Sequence, residues 1–530
     1  MEKINSTGED IEITTPRDAK AWTDKGVEFG LQGRHDEAIE CFRHALELDP
    51  RYIQAWYNQG IAFYNLGRHA EAIVCFNRVL EIAPQNAEAW YYKGNSFLRL
   101  EQFQEAIACF DQALELNPQL AEAWYSKGIV LDGLGHIQKA ITCYKQVLEL
   151  DSHHVMAWAN QGLAFSKLEK YREAIVCFDR ALELNPKLAS IWYNKGAALG
   201  RLKLFREAII CFDQALELAP QFVEAWHNKG NVLDDLEQFQ EALVCYNKAL
   251  EFNPKYIDAW YNKGVVHGRL RQVQEAIVCF DKAIEFNPQH VSAWTNKGAA
   301  LGELGRYHEA IVCFDKAIEF NSQHVSAWVN KGTTLVNLGR HEEAIVCFDR
   351  ALELNPQLVE VWDNKGNALG KLGRYREVII CFDQVLNLDS QHVKAWTNKG
   401  TALGELGRYQ EAITCYERAL ELDPYLVEVW TNKGLLLSKM KQFSEAIICF
   451  DQALELDFQH IRTWISKGTT LIKLESYQEA IACFDQALKR EPYLAEAWYN
   501  RGVTFSKLGQ IHEAQICFDK AYNIEMTRGS

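Results

Sequence analysis

Fifteen tryptophans occur in this 530-residue chain, and each lies 34 residues after the one before it, from Trp22 to Trp498. A fixed period of this length identifies a structural unit that cannot bury its apolar face alone and must stack on its neighbours. The repeat therefore restricts the chain to a solenoid, in which each unit contacts the units beside it. Because such a core grows by adding units, 530 residues need not divide into several globular domains.

Two amphipathic helices account for the pattern inside one unit. In the unit that contains Trp56, apolar residues recur at intervals of three and four before Gly67 and again after His69, which is the spacing of one helix face. Gly67 and Arg68 mark the turn between the helices. Pro84 follows the second helix and stops it, because proline lacks an amide hydrogen and has a fixed φ. The sequence thus predicts an all-α fold.

Small residues occur where two helices must approach closely. Glycine lies four residues after every tryptophan, and alanine lies sixteen after it in fourteen units, with Val378 as the exception. This order of Trp, aromatic, Ala, Phe and Pro resembles the tetratricopeptide repeat family, over residues 19 to 528. One departure is systematic: the leucine that the family has before this glycine is Lys in twelve units, Gln59 and Gln161 in two and Arg501 in one. The resemblance implies a right-handed α-solenoid superhelix of about fifteen helix-turn-helix units, with the first helix of each pair lining a concave channel.

The sequence divides into three parts. Residues 1–18 are polar and are predicted to be a disordered N-terminal tail, residues 19–528 form the fifteen tandem units, and residues 529–530 are the C-terminal end. Gln32 and Gln515 replace apolar residues in the first and last units, which makes the outer surfaces more polar and predicts a complete array. The close similarity of the units resembles long bacterial arrays.

Composition excludes several classes of protein. The N-terminal residues contain no apolar stretch typical of a signal peptide, and no apolar run is long enough to span a membrane, so we expect a cytoplasmic protein without membrane insertion. A net charge of −15 with no basic cluster would repel a phosphate backbone. We therefore expect no nucleic-acid partner.

No residue pattern predicts catalysis or a cofactor. The fifteen cysteines recur at the same 34-residue interval, one per unit and just before the Phe or Tyr of the second helix. That placement predicts small buried residues rather than disulfides, because equivalent cysteines of stacked units are too far apart to bridge. Zinc-binding, P-loop, GxGxxG and HExxH motifs are absent. We expect a protein that is not an enzyme and binds no metal or cofactor.

A row of lysines begins at Lys25 and recurs three residues after the tryptophan. Such a row could attract an acidic ligand, but pairing with acidic residues of the second helix is the preferred interpretation. The candidates are glutamates fifteen residues after the tryptophan and acids of the Asp111 type, twenty-one after it.

The candidate binding site is a series of asparagines two residues after the tryptophan, called the Asn ladder below. Each amide offers two donors and one acceptor, so a regular row of them could bind the backbone of an extended peptide. A solvated family residue is the alternative interpretation. The ladder comprises Asn58, Asn160, Asn194, Asn228, Asn262, Asn296, Asn330, Asn364, Asn398, Asn432 and Asn500.

Two further sets are predicted as secondary contacts on the same surface. Tyrosines directly after the tryptophan could stack on ligand side chains, and asparagines five residues after it add further amides. These residues are Tyr57, Tyr91, Tyr125, Tyr193, Tyr261 and Tyr499, and Asn95, Asn231 and Asn367.

The sequence favours a non-catalytic scaffold that binds extended or unstructured segments of other proteins along the concave surface. The array is similar to the repeat region of O-linked N-acetylglucosamine transferase, in which asparagines at the matching position bind peptide substrates. The alternative is therefore a substrate-recruiting subunit of an enzyme, such as a glycosyltransferase, whose catalytic domain is on another chain. A third hypothesis is self-association through the ends of the array.

Overall fold

The structure is a computed structural model that describes residues 18–528. Within that range it contains thirty α-helices arranged as fifteen consecutive pairs, which confirms the predicted all-α solenoid class. The disordered tail was predicted for residues 1–18, of which residues 1–17 lie outside the described part, as do residues 529–530. Asp18 is not part of a tail, because its carboxylate accepts a hydrogen bond of 2.7 Å from the amide of Ala21 and caps the first helix.

The helices of a pair have fixed lengths. The first helices have 13 residues and are α1 Ala19–Leu31, α3 Ile53–Asn65, α5 Ala87–Arg99, α7 Ala121–Gly133, α9 Val155–Lys167, α11 Ala189–Arg201, α13 Val223–Asp235, α15 Ile257–Arg269, α17 Val291–Glu303, α19 Val325–Asn337, α21 Val359–Lys371, α23 Val393–Glu405, α25 Val427–Lys439, α27 Ile461–Lys473 and α29 Ala495–Lys507. The second helices are α2 His35–Leu48, α4 His69–Ile82, α6 Phe103–Leu116, α8 Ile137–Leu150, α10 Tyr171–Leu184, α12 Phe205–Leu218, α14 Phe239–Phe252, α16 Val273–Phe286, α18 Tyr307–Phe320, α20 His341–Leu354, α22 Tyr375–Leu388, α24 Tyr409–Leu422, α26 Phe443–Leu456, α28 Tyr477–Arg490 and α30 Ile511–Arg528. Helix α30 is the longest, with 18 residues.

The turn inside each pair needs one residue in the left-handed region. That residue lies eleven positions after the tryptophan, and its φ is between +58° and +78° in all fifteen units. Glycine meets this need in eight units, including Gly67, as the sequence predicted. The other seven units use Glu, Lys or Arg there, although a side chain disfavours this conformation. The turn geometry is therefore imposed by packing of the pair and not by glycine alone.

Packing inside a pair depends on the glycine four residues after the tryptophan. A Cβ atom on Gly298 would lie 2.6 Å from Cε1 of Phe314, a ring that is almost completely buried. Equivalent aromatic rings face the equivalent glycines in the other units. Alanines of the second helix, such as Ala310 and Ala317, are fully buried beside them, and Val378 is buried where the other units have alanine. The predicted close approach of the two helices is confirmed.

Each tryptophan fixes the turn that precedes its own helix. From Trp56 to Trp498, the indole Nε1 donates to the carbonyl oxygen six residues earlier, at 2.8 to 3.2 Å. That carbonyl belongs to the residue where Pro84 and its equivalents occur. The indole is therefore tied to the end of the preceding unit while its ring packs inside its own unit.

The contacts divide the chain into two compact stacks, Met1–Asn262 and Lys263–Ser530. Inside each stack, second helices pack on the first helix of the following unit, and successive first helices also contact one another, as α1 does with α3 and α17 with α19. Successive second helices make no comparable contact within residues 18–528. The first helices are thus closer together than the second helices and line the inner side of each stack.

Candidate functional site

The Asn ladder lies on the first helices, where each asparagine is the sixth residue of its helix and follows the tryptophan by two residues. All eleven asparagines are half-buried, so each side chain is partly accessible and partly packed against the neighbouring unit. Since first helices line the inner side of each stack, the ladder lies on the surface where the sequence predicted a peptide site. Whether it binds a peptide stays a prediction.

At least four ladder residues use their amide to connect two units, which the sequence did not predict. Asn160 Nδ2 donates to the Tyr125 hydroxyl at 3.1 Å, and Asn228 Nδ2 donates to the Tyr193 hydroxyl at 3.0 Å. The other two, Asn262 and Asn398, donate to Asn231 Oδ1 at 2.8 Å and to Asn367 Oδ1 at 3.1 Å. In each case the acceptor belongs to the preceding unit. Part of the ladder therefore stabilises the stack itself.

Other ladder residues keep their hydrogen-bonding capacity. Within residues 18–528, the side chains of Asn194, Asn330, Asn364 and Asn432 donate to no protein group. Nδ2 of Asn58 is buried and has no hydrogen-bond partner in the described structure. A buried donor without an acceptor is unfavourable, so the amide of Asn58 is an unsatisfied polar group of the folded stack.

The secondary tyrosines lie mostly inside the joints, a term used here for the junction between two successive units. The five from Tyr57 to Tyr261 are half-buried. The ring of Tyr193, for example, lies 4.8 Å from that of Phe222 in the next unit and 6.1 Å from that of Phe212 in its own unit. Tyr499 in the last unit is 57% exposed. Stacking on a ligand thus fits Tyr499 best, because the other five tyrosines are half-buried.

The secondary asparagines are also engaged in structure. Asn95 is only 8% exposed, so its amide lies beneath the surface that a ligand would contact. Asn231 Oδ1 accepts from the hydroxyl of Tyr246 at 2.9 Å in addition to Asn262. Asn367 Nδ2 donates to Asp363 at 2.9 Å. Asn231 and Asn367 therefore take part in the joints, and the predicted role of all three asparagines as ligand contacts stays a prediction.

Four open clefts lie between successive first helices, and we call them inter-repeat clefts. Each is lined by an aromatic residue of the second helix and by a ladder asparagine. Their volumes are about 210, 420, 170 and 480 Å³. In that order they lie between α1 and α3, α11 and α13, α15 and α17, and α21 and α23, with the pairs Phe42 and Asn58, Phe212 and Asn228, Phe280 and Asn296, and Phe382 and Asn398.

Most lysines of the row form an ion pair across a joint. Lys331 Nζ lies 2.6 Å from Asp315 Oδ1 of the preceding second helix and also 5.9 Å from the centre of the Trp328 ring. The same ion pair recurs at 2.5 to 2.9 Å in Lys127–Asp111, Lys195–Asp179, Lys229–Asp213, Lys297–Asp281, Lys365–Asp349, Lys399–Asp383, Lys433–Glu417 and Arg501–Asp485, and it also joins Lys467 to Asp451. The predicted pairing is confirmed, with the acid twenty-one residues after the preceding tryptophan as partner.

The cysteines are buried and free in all fifteen units, as predicted for small core residues. Burial raises the pKa of Cys279 from 9.0 to about 11, and the same cause raises the pKa of Cys109 and Cys483 to about 11. These thiols are thus protonated at neutral pH and are poor nucleophiles. Across residues 18–528, no three His, Cys, Asp or Glu side chains are grouped so that they could bind a metal ion.

Comparison with protein families identifies the repeat. A model described as tetratricopeptide repeat matches eleven 34-residue segments, in residues 53–358 and 393–460. A further tetratricopeptide repeat model matches residues 359–392 and 495–525, and a TPR repeat model matches residues 28–67 and 468–509. The matched segments cover well over half of the chain.

The chain belongs to the tetratricopeptide repeat family. Stacked tetratricopeptide repeats form protein-interaction scaffolds, and this is the class of function that the architecture supports. No curated protein matches the sequence. In the described part of the chain, no helix combines the length and apolar character that crossing a membrane requires.

Several solved tetratricopeptide structures are similar. The crystal structure of YrrB, described as a TPR protein with an unusual peptide-binding site, is 29% identical, covers 35% of this chain and 95% of that chain, and has a TM-score of 0.31. MamA from Desulfovibrio magneticus RS-1 is 23% identical, with 32% and 97% coverage and a TM-score of 0.31. A chain of the APC/C hetero-tetramer Cut9-Hcn1 is 16% identical, with 87% and 97% coverage and a TM-score of 0.34.

Proposed function

We propose that this tetratricopeptide array binds extended or unstructured segments of partner proteins along its first helices, with the Asn ladder hydrogen-bonding the backbone of the bound segment. The observation that carries the proposal is that ladder asparagines line the inter-repeat clefts. An amide in the lining of an open cleft can bind a peptide bond of a segment that lies across the cleft. The proposed role is non-catalytic.

Chemistry of the ladder supports backbone recognition. A carboxamide has two donor hydrogens and an acceptor oxygen, so one side chain can bond both the carbonyl and the amide of a peptide. Even where Asn160 donates to Tyr125, its carbonyl oxygen and second hydrogen remain for a ligand. Because every peptide backbone offers the same groups, such binding contributes affinity that depends little on the ligand sequence.

The test separates ladder residues that hold the stack together from those that do not. Peptides are first selected on the wild-type protein from a phage-displayed random library, then synthesised and measured by fluorescence anisotropy. The binding variant replaces Asn194, Asn330, Asn364 and Asn432 with Ala. We expect at least a tenfold loss of affinity, since each lost hydrogen bond contributes about 0.5 to 1.5 kcal/mol, with an unchanged helical circular dichroism spectrum.

A matched control removes four carboxamides from the other side of the pair. Gln138, Gln240, Gln274 and Gln410 lie fourteen residues after their tryptophans on the second helices, and all four are exposed. Replacing them with Ala should leave peptide affinity at the wild-type level. If the ladder variant binds as tightly as this control, or if selection yields no peptide, the proposal is wrong.

Two other hypotheses from the sequence stay predictions. Recruitment of substrates for a catalytic subunit on another chain predicts that an enzyme co-purifies with the protein from its native cell, and a preparation without one would contradict it. Self-association through the ends predicts that the molar mass measured by light scattering rises with protein concentration.

A further inference from the structure

Three consecutive first helices of the C-terminal stack end on a lysine. Lys439 is the last residue of α25, Lys473 of α27 and Lys507 of α29, and each lies nine residues after its tryptophan. All three residues are exposed. Because α27 contacts both α25 and α29, the three lysines, called the helix-end lysines below, form a row along the stack. The row is not visible as a basic run in the sequence, since its members are 34 residues apart.

The helix-end lysines contact neighbouring side chains but have no acidic partner. Nζ of Lys439 lies 5.7 Å from the centre of the Tyr409 ring in the preceding second helix, and Nζ of Lys473 lies 5.9 Å from that of Phe443. Lys473 also donates to Oγ of Ser438 at 3.4 Å. In the described part of the chain, none of the three lysines forms an ion pair with a carboxylate.

The same position in the N-terminal stack shows which partner these lysines lack. Lys167 is the last residue of α9, nine residues after its tryptophan, and its Nζ donates to Oδ2 of Asp132 at 2.8 Å. Asp132 lies on the preceding first helix, eight residues after its tryptophan. The residues that correspond to Asp132 beside the helix-end lysines are Gly404, Ser438 and Ile472. A carboxylate is therefore present in the joint of Lys167 and absent from the other three.

Other charges on these helices do not compensate the helix-end lysines. The helices α25, α27 and α29 together contain seven basic and two acidic residues. Three of the basic residues, Lys433, Lys467 and Arg501, are paired with acids of second helices. Of the two acids, Glu428 lies 3.0 Å from Arg462. The exposed surface of these first helices is thus positive, although the chain has a net charge of −15.

The helix dipole alone does not explain the row. A basic residue in the last turn of a helix is favourable because the carbonyl end of a helix is partly negative. Glu303 and Glu405, however, are the last residues of α17 and α23 in the same stack, so this position accepts an acid. Packed helices lie about 8 to 10 Å apart, a distance at which exposed charges still interact at moderate salt. The helix-end lysines therefore repel one another, and an added carboxylate would relieve that repulsion.

From this we infer that the last three units bind acidic side chains of the bound segment, whose carboxylates pair with Lys439, Lys473 and Lys507 as Asp132 pairs with Lys167. The inference rests on the proposed function and adds the ligand class. The ligand is an extended segment that carries aspartates or glutamates where it crosses α25, α27 and α29.

The Asn ladder and the helix-end lysines are close enough for one segment to contact both. Asn432 and Lys439 are seven residues apart in α25, as are Asn500 and Lys507 in α29. Seven residues make about two turns of an α-helix, so the two residues of each pair share a face and lie about 10 Å apart along the axis. The side chain of a lysine and that of a glutamate can together span this distance. A segment whose backbone is bound at the ladder can thus place a carboxylate on a helix-end lysine.

Synthetic peptides that differ only in charge test the inference. The acidic peptide has glutamates in a Ser/Asn background, the neutral peptide has glutamine at the same places, and both carry an uncharged fluorophore. Binding to the full-length protein is measured by fluorescence anisotropy at low salt and in about 0.5 M sodium chloride. At low salt we expect the acidic peptide to bind about tenfold more tightly, as three exposed ion pairs predict. Most of this preference should disappear at high salt, because ions screen the pairs.

Two triple variants show where the preference arises. Replacing the three helix-end lysines with Gln should remove the preference while the affinity for the neutral peptide and the helical circular dichroism spectrum stay unchanged. The control replaces Lys248, Lys282 and Lys316 with Gln, which removes the same charge from second helices, where each lysine is paired with a glutamate three residues later. This control should keep the preference for the acidic peptide.

Failure of the inference and failure of the proposed function are distinguishable. If library-selected peptides bind through the ladder but the acidic and neutral peptides have equal affinities, or the helix-end variant keeps the preference, the inference is wrong and backbone binding stands. The inference is also wrong if a single-stranded oligonucleotide of equal charge binds the helix-end lysines as tightly as the acidic peptide. If neither the selected nor the designed peptides bind, both are wrong.

Discussion

Two glycines of one helix should respond to the same substitution with opposite signs. Gly298 and Gly302 lie four residues apart in α17, in similar backbone conformation. A Cβ on Gly298 would lie 2.6 Å from Cε1 and 2.9 Å from Cδ1 of Phe314, whereas a Cβ on Gly302 would meet nothing within 4 Å. We predict that Gly298→Ala destabilises the unit and that Gly302→Ala stabilises it.

The magnitudes follow from two terms. Replacing glycine by alanine inside a helix stabilises it by about 0.5 to 1 kcal/mol, and this term applies to both variants. For Gly302, one residue before the helix end, we expect the lower part of that range. At Gly298 the ring of Phe314 is 1% exposed and has little room to move, so overpacking adds a cost of about 1 to 3 kcal/mol. The two variants should therefore differ by roughly 1 to 3 kcal/mol.

Hydrogen exchange is the suitable assay, because a long repeat array does not unfold as a single two-state system. Mass spectrometry of peptides from α17 and α18 reports the free energy of local opening in those helices. Exchange there should accelerate in Gly298→Ala and slow slightly in Gly302→Ala, while α1 and α2 remain unchanged in both. Equal or slower exchange in Gly298→Ala would refute the explanation that packing requires the glycine four residues after the tryptophan.

Three further outcomes are expected from the turn, the joint and the core. Glu169→Gly should raise the free energy of local opening of α9 and α10, measured by hydrogen exchange, by about 1 kcal/mol, because Glu169 has a φ of +58° that disfavours a side chain. Lys331→Met should cost less than about 1 kcal/mol, because it removes the ion pair with Asp315 but keeps an apolar stem beside Trp328, and Lys331→Ala should cost more. Burial raises the pKa of Cys279 from 9.0 to about 11 in the folded protein. As the pH rises, the thiol of the unfolded chain therefore loses its proton first, which favours unfolding. The stability that the protonated thiol contributes is complete below pH 9 and falls between pH 9 and 11. Melting temperatures at pH 8 and pH 10 should differ less in Cys279→Ala than in the wild type.

The helix pairs could be predicted because the residues that begin and end each helix lie close to it in the sequence. The turn at Gly67 and Arg68 and the stop at Pro84 fall where α3, α4 and α5 meet. A period of 34 residues repeats each such signal fifteen times, so the assignment does not depend on any single unit. Seven left-handed turn residues other than glycine, such as Glu169, were missed because their residue types do not indicate that conformation. These seven residues occupy the same position in their units as Gly67 does in its own, and that shared position could have indicated the left-handed conformation.

Contacts across the joints were harder to predict because they join residues of different units. Asn228 reaches Tyr193 of the preceding unit, 35 residues earlier, although a single unit shows only that both residue types are present. The sequence left two candidate acids as the partner of the lysine row, and the structure shows that Lys331 pairs with Asp315. A constant offset of sixteen residues between lysine and acid marks this pairing in the sequence once the stacking order is known.

The positions that build a joint and the positions that line its inner surface differ in how much they vary from unit to unit. Each of the fifteen units has the tryptophan and the glycine four residues after it, whereas the residue eight positions after the tryptophan is Gly302 in one unit and Val336 in the next. A uniform framework alone would let an extended segment bind in any of several equivalent registers, since each joint would offer the same groups. Different residues at this position, such as Leu98, Asp132 and Gly302, remove that equivalence. If the ladder supplies affinity, the variation at this one position is therefore what can give the bound segment a defined place along the array.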